Sequence, residues 1–245
     1  MNSNKTIVIS QPMLFPWVGM FEQIRLADIF IYYDDVQFSK GSFTNRVQLK
    51  NEKGSEWMTI PMVKDHLGQN INEVAISDHT DWRNKHLNQL ERCYSQAEYF
   101  EEMITLVQAI YNIQSNNLSE VTVASMKAIC DYYDLTQTKK IYLSSEYDFK
   151  GKSSERVLDC ILYFNSTHYI TGHGAKNYLD HELFDEKGID IEYMNYKKIP
   201  YPQLFGEFTP YVSILDLIAN CGKKGNKYIC SDTINWRDMN QRVKK

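Results

Sequence analysis

Along most of the chain, short runs of unbroken apolar residues alternate with stretches of helical periodicity. Thr6-Ile7-Val8-Ile9-Ser10 is β-branched without a polar alternate, the pattern of a strand covered on both faces. Gln11-Pro12 closes it, since proline cannot donate to a central ladder. Pro16 then precedes Trp17, Met20, Phe21 and Ile24 at helical spacing, and proline suits a helix start. Ile29 to Tyr33 reads as a second buried strand, ended by Asp34-Asp35. Strand, helix and strand within about 30 residues predict a βαβ unit with parallel neighbours.

Ser55 to Val63 and Asn72 to Ile76 read as further strands around a polar loop containing Gly68. From residue 81 to 136 the period changes to that of helices. Trp82, His86, Leu87, Leu90 and Tyr94 share one stripe; Phe100, Met103, Val107, Ile110 and Tyr111 share another. A third stripe runs from Leu118 to Tyr133, with Asn117 and Glu120 as a capping-box-like start. Strands return at 140–143, 168–171 and 189–193, with a helix capped by Ser153, another near 175–184 and a last one over 212–219. The prediction is an α/β fold: a mostly parallel open sheet covered by helices, with a helical insertion near residues 81–136. Residues 1–230 form one domain on this reading, and 231–245 a weakly held C-terminal tail.

Composition narrows the function classes. Of the 245 residues, 27 are Lys or Arg and 31 Asp or Glu, a net charge of −4 that disfavours a broad phosphate-binding surface. The 5 cysteines are scattered and include no CxxC pair, which predicts buried free thiols in a reducing compartment. No apolar run reaches the roughly 18 residues of a membrane span, and a cytoplasmic protein is expected. The 17 tyrosines are ambiguous, because such rings line sugar- and base-binding clefts and also fill cores.

In open α/β sheets ligands bind beyond the carboxyl ends of the strands, so the loops there carry the candidate chemistry. Gln11, Pro12, Phe15, Trp17 and Gly19 follow the first strand, in a position to hold an anion at a helix start, with Gly19 allowing close backbone approach. The loop is neither a Walker loop nor GxGxxG, and it also reads as a rigid turn. Asp34, Asp35, Gln37, Lys40, Arg46 and Lys50 follow the second strand; they suit a magnesium–phosphate group, or simply a solvated hairpin. Gly172-His173-Gly174 exposes an imidazole between strand and helix, where His173 could act as a general base. His86, flanked by Trp82 and Leu90, fits a packed helix face better. Ser213, Asp216 and Asn220 share a helix face that could bond a sugar hydroxyl or position a loop, or be simply the solvent side of an amphipathic helix, with Tyr201 and Gln203 just upstream. No HExxH, GxSxG or paired Cys–His signal is present, and no residue is singled out as a metal ligand with any force.

Gln11-Pro12 followed by Pro16-Trp17-Val18-Gly19, then Ala27-Asp28-Ile29-Phe30-Ile31, Asp34 to Lys40, Asn45 to Lys50, Tyr201-Pro202-Gln203 and Ser213 to Gly222, resembles the WbqC-like family through about residue 230. The resemblance implies an enzyme of bacterial surface-polysaccharide (O-antigen) biosynthesis. Its suggested activity is transfer of an amino acid, glycine in particular, to the amine of a nucleotide-linked or lipid-linked amino sugar. On that reading the Gln11–Gly19 loop and Arg46 hold phosphate, Asp35 holds a metal or the amine, and His173 assists proton transfer. Members commonly carry His before the Gln-Pro pair, whereas Ser10 stands here. The opening order of elements is also similar to HIGH-type nucleotidyltransferases, which would bring in ATP and Mg for carboxylate activation, although their histidines are missing. An aminoacyl-tRNA donor stays open, as do a metal-dependent glycosyltransferase and a non-catalytic sugar-nucleotide-binding protein.

Overall fold

β1 (Thr6–Ser10) lies in the middle of a six-stranded sheet, flanked in parallel by β2 (Ile29–Tyr32) and β6 (His168–Thr171). The computed structural model describes residues 5–63 and 68–242. β5 (Lys140–Leu143) pairs in parallel outside β2, and β7 (Asp190–Met194) outside β6. The five parallel strands therefore stand in the order 3-2-1-4-5 of their own sequence, a doubly wound arrangement that reverses direction between β1 and β6.

The unbroken apolar runs are explained by the two faces of the sheet. Val8, Phe30, Ile170 and Met194 point to one core, with α1 (Val18–Leu26) and the later α7 (Ile214–Cys221). Ile7, Ile9, Ile29, Ile31, Tyr169 and Ile191 point to the other, under α5 (Ser154–Tyr163) and α6 (His181–Asp185). Because side chains alternate along a strand and both faces are covered, no position in the middle is left for a polar residue.

Between β2 and β5 lie an antiparallel hairpin, β3 (Arg46–Asn51) with β4 (Gly54–Thr59), and three consecutive helices, α2 (Trp82–Tyr94), α3 (Phe100–Tyr111) and α4 (Leu118–Tyr132). Their apolar faces join the first core. Asn117 caps α4, its side chain accepting from the Glu120 N–H at 3.2 Å.

Four local expectations change. Asn72–Ile76 is a short 3₁₀ turn over Ile71–Glu73 followed by isolated bridges from Ala75 to Asn117 and Ile76 to Met62, because the chain there serves two partners and no ladder. The polar loop before it includes residues 64–67, which lie outside the described residues. The helix expected over 175–184 is split into a 3₁₀ turn (His173–Asn177) and α6, with Asp180 capping the second piece. Ser153 does stand before α5, but with φ +52 and no side-chain cap bond. Finally, the segment expected as a tail supplies β8 (Thr233–Asn235), an antiparallel edge on β7, and α8 (Trp236–Arg242), whose Trp236 stacks on His181 with ring centres 4.6 Å apart.

Candidate ligand cavity at the switch point

A cavity of about 1030 Å³ opens where the strand order reverses, beyond the carboxyl ends of β1 and β6. Ile9 and Ser10 line it from β1 and Thr171 from β6. Gln11, Met13 and Trp17 come from the loop after β1, and Tyr33, Val36 and Gln37 from the chain after β2. Gly172, His173 and Gly174 form the wall after β6, and Asn195, Tyr196 and Lys198 the wall after β7. Ser153 at the start of α5, Tyr178 and Tyr211 complete the rim.

The β1–α1 loop owes its shape to residues far along the chain. Phe15 is fully buried in left-handed backbone (φ +39); its N–H donates to Ser125 Oγ at 3.2 Å, and its carbonyl accepts from Ser213 Oγ at 2.8 Å. The Ile214 N–H donates to the Pro16 carbonyl at 2.9 Å, so the start of α7 holds the loop from behind. Held this way, the loop turns Phe15 and Pro12 into the core and Gln11, Met13 and Trp17 toward the cavity. Gly19 answers to the Trp17 ring rather than to a ligand: a Cβ there would lie 2.3 Å from the indole. Trp17 in turn packs on Tyr196 at 4.7 Å and Tyr211 at 5.2 Å between ring centres.

His173 Nε2 lies 2.6 Å from the Met194 carbonyl, an acceptor, so Nε2 carries the proton and Nδ1 is the basic nitrogen of the neutral ring. The ring packs on Tyr196 at 5.5 Å, and burial pushes the Tyr196 hydroxyl well above its usual range. Neither flanking glycine needs left-handed backbone. Gly172 makes room for the Tyr196 hydroxyl, 3.3 Å from where a Cβ would sit, and Gly174 faces open space.

The acidic pair after β2 is engaged elsewhere. Asp34 is 3% exposed and accepts from the Ser145 N–H and Ser145 Oγ at 3.1 and 2.8 Å, tying the end of β2 to that of β5, with Ser144 Oγ 3.2 Å away. Asp35 is paired with Arg156 at 2.5 Å and takes Ser144 Oγ at 2.5 Å. Arg156 also lies 5.2 Å from the centre of the Tyr33 ring, which does line the cavity and whose hydroxyl is pushed up to about 12 by burial. Neither carboxylate lines the cavity, and both spend their lone pairs on protein donors, so the pair does not fit a magnesium site. Among the described residues no group of three His, Cys, Asp or Glu is placed to hold a metal.

Several other candidates lie away from the cavity. Lys40 is exposed, and Arg46 bonds the Gly41 carbonyl and covers the Trp57 ring at 4.1 Å. Lys50 is buried and donates to Gln203 Oε1 at 2.9 Å and the Glu207 carbonyl at 2.5 Å. Gln203 donates to Asp216 Oδ2 at 2.8 Å. Asp216 is fully buried, and desolvation holds its carboxyl up at about 6, opposed by Tyr201, Gln203 and the Lys50 charge. Asn220 accepts from the Leu204 N–H at 3.1 Å. Ser213 thus pins the loop after β1, while Asp216 and Asn220 pin the segment at Gln203 and Leu204; Ser213 and Asp216 are buried and do not form a solvent face. Tyr201 lines a small chamber beside the cavity with Glu22, Phe208 and Lys198.

His86 is buried between Tyr111 Oη at 2.8 Å and the Thr59 carbonyl at 3.0 Å, with burial pushing it down to about 4. All five cysteines are free, four of them buried. Among the described residues no helix is long and apolar enough to cross a membrane. The cavity residues absent from the sequence reading, notably Tyr33, Asn195, Tyr196, Lys198 and Tyr211, follow no motif. The usable signal was position: Asn195 to Lys198 comes directly after a strand of the parallel sheet.

Strand order and cavity together define a doubly wound α/β protein with an open cavity at the topological switch point. The chain belongs to the WbqC-like protein family, whose pattern matches residues 11–228. It is 36% identical over 228 residues to the uncharacterized protein Rv1507c of Mycobacterium tuberculosis, covering 92% of this chain and 97% of that one. No solved structure matches. Ser10, at the position where the family resemblance leads one to expect histidine, lies in the cavity wall.

Proposed function

We propose that the protein is an aminoacyl transferase or amide-forming ligase of bacterial surface-polysaccharide biosynthesis. It joins an amino acid such as glycine to the amine of a nucleotide-linked or lipid-linked amino sugar. The observation that carries this reading is the switch-point cavity with His173 in its wall, its Nε2 tied to the Met194 carbonyl and Nδ1 left as the base. The sugar amine attacks the activated carbonyl of the amino acid. A C–N bond forms, the bond to the leaving group breaks with its electron pair, and the amine proton passes to His173 Nδ1. Trp17, Tyr196 and Tyr211 offer ring faces for the sugar, while Gln11, Gln37 and Asn195 offer amides for its hydroxyls.

The donor enters as an activated acyl group, whether an acyl phosphate, an adenylate formed with ATP, or an aminoacyl-tRNA. No step is routed through magnesium, since Asp34 and Asp35 are occupied. The glycosyltransferase alternative loses its Asp-Asp metal site for the same reason. Purified protein incubated with labelled glycine, each activated donor and amino-sugar nucleotides should give a product heavier by one glycyl residue. Sugar transfer without amide formation, or no product with any donor, would refute the reading.

A further inference from the structure

We infer that Lys198 is the anion-recognition residue of the cavity and that it takes the diphosphate of the carrier-linked amino sugar, an inference that rests on the reading above. Among the described residues that line the cavity, Lys198 is the one Lys or Arg and none is Asp or Glu; the nearest carboxylate the pockets share with it is Glu22, in the small adjoining chamber. Its neighbour Lys197 is neutralised by Asp232 at 2.6 Å. Lys198 makes no ion pair among the described residues, and its ammonium rests 4.9 Å from the centre of the Tyr211 ring.

Two residues of the cavity wall, Lys198 and Ser153, have left-handed backbone. Lys198 has φ +50, a conformation disfavoured for an L-residue and kept only where the surroundings impose it. Two helix ends add to the field. α1 and α5 both begin at the cavity, at Trp17 and Ser153, and neither N-cap side chain covers the free N–H groups of its helix. With about 1030 Å³ available, a nucleoside diphosphate or the headgroup of a prenyl diphosphate fits, a ring or sugar lying against Trp17 and Tyr211.

Calorimetric titration with UDP, uridine, farnesyl diphosphate and farnesol tests the assignment and separates the two carriers. The wild type should bind one diphosphate more tightly than its uncharged counterpart, UDP marking a nucleotide carrier and farnesyl diphosphate a lipid carrier. Lys198→Gln should weaken that diphosphate by about tenfold and leave uridine or farnesol unchanged, while Lys198→Arg restores binding to within about threefold. Equal diphosphate binding by Lys198→Gln and wild type, with unchanged melting temperature, would overturn the inference, as would a wild type that binds neither diphosphate. Glycyl transfer to an uncharged amino sugar without diphosphate binding would remove this inference and keep the proposed function. Diphosphate binding lost in Lys198→Gln, with no amide formed from any donor, would do the reverse.

Discussion

Replacing Glu22 by glutamine should stabilise the protein at alkaline pH and bring no gain, or a loss of up to about 1 kcal/mol, at acid pH. Glu22 sits on α1 at 2% exposure, its Oε2 has no hydrogen-bond partner, and the charge of Arg25 one turn on only partly offsets the burial. Desolvation raises its carboxyl from 4.5 to about 7. An acid whose folded value is raised holds its proton longer in the folded state, so stability is lost as pH climbs from 4.5 and the loss is complete above 7. At about 1.4 kcal/mol per tenfold, that is roughly 3.4 kcal/mol, and water reaching part of the site reduces it to about 2 kcal/mol. Glutamine removes the ionisation but leaves its own amide short of partners, at a cost of about 1 kcal/mol. The net gain at pH 8 is therefore about 1 kcal/mol, or roughly 2–4 °C in melting temperature for a chain of this size. Near pH 4.5 the gain should vanish or turn into a small loss. Urea or thermal unfolding of both proteins from pH 4.5 to 8.5 measures the difference, in which every other titrating group cancels. A Glu22→Gln effect that is flat across this range, or a variant less stable at pH 8, would refute the reasoning.

Other outcomes follow from the same geometry. Gly19→Ala should cost about 1–3 kcal/mol by urea unfolding and alter tryptophan fluorescence, because its Cβ would displace the Trp17 indole; an unperturbed spectrum would contradict this. His173→Ala should lower the rate of the proposed transfer by about 10²–10⁴-fold with little change in stability, and an active variant would assign the base elsewhere. Asp35→Asn strands Arg156 and should cost about 2–3 kcal/mol in unfolding free energy. Diphosphate affinity should survive that change, because the Asp35 carboxylate is outside the cavity lining.

The parallel strands were legible because each is covered on both faces and so contains no polar interruption. β3 was less so, although Arg46-Val47-Gln48-Leu49-Lys50 is a strict two-residue alternation with Val47 and Leu49 buried. Its charged members drew attention as ligands, whereas Arg46 covers Trp57 and Lys50 turns inward to Gln203. β8 spans only three residues, too few for any period to show, and is held by its ladder to β7. At the site, the loops after β1 and β6 could be named from strand position alone. Tyr196 and Lys198 also follow a strand, but that this strand lies beside β6 is a neighbour relation that no local pattern encodes. Asp34 and Asp35 misled for the same non-local reason: their partners Ser144 and Arg156 stand more than 100 residues away.

The stitch from Ser213 to the Phe15 carbonyl spans 198 residues of chain. During synthesis at about 5–20 residues per second, the β1–α1 loop therefore waits roughly 10–40 s for the residue that clamps it. Tyr196 and Tyr211, on which Trp17 rests, are made only shortly before Ser213, so the cavity wall is completed late. A nascent chain stalled before the seventh helix should thus have most of its parallel strands but no ligand affinity. The wall of the cavity is closed by residues from the last fifth of the chain.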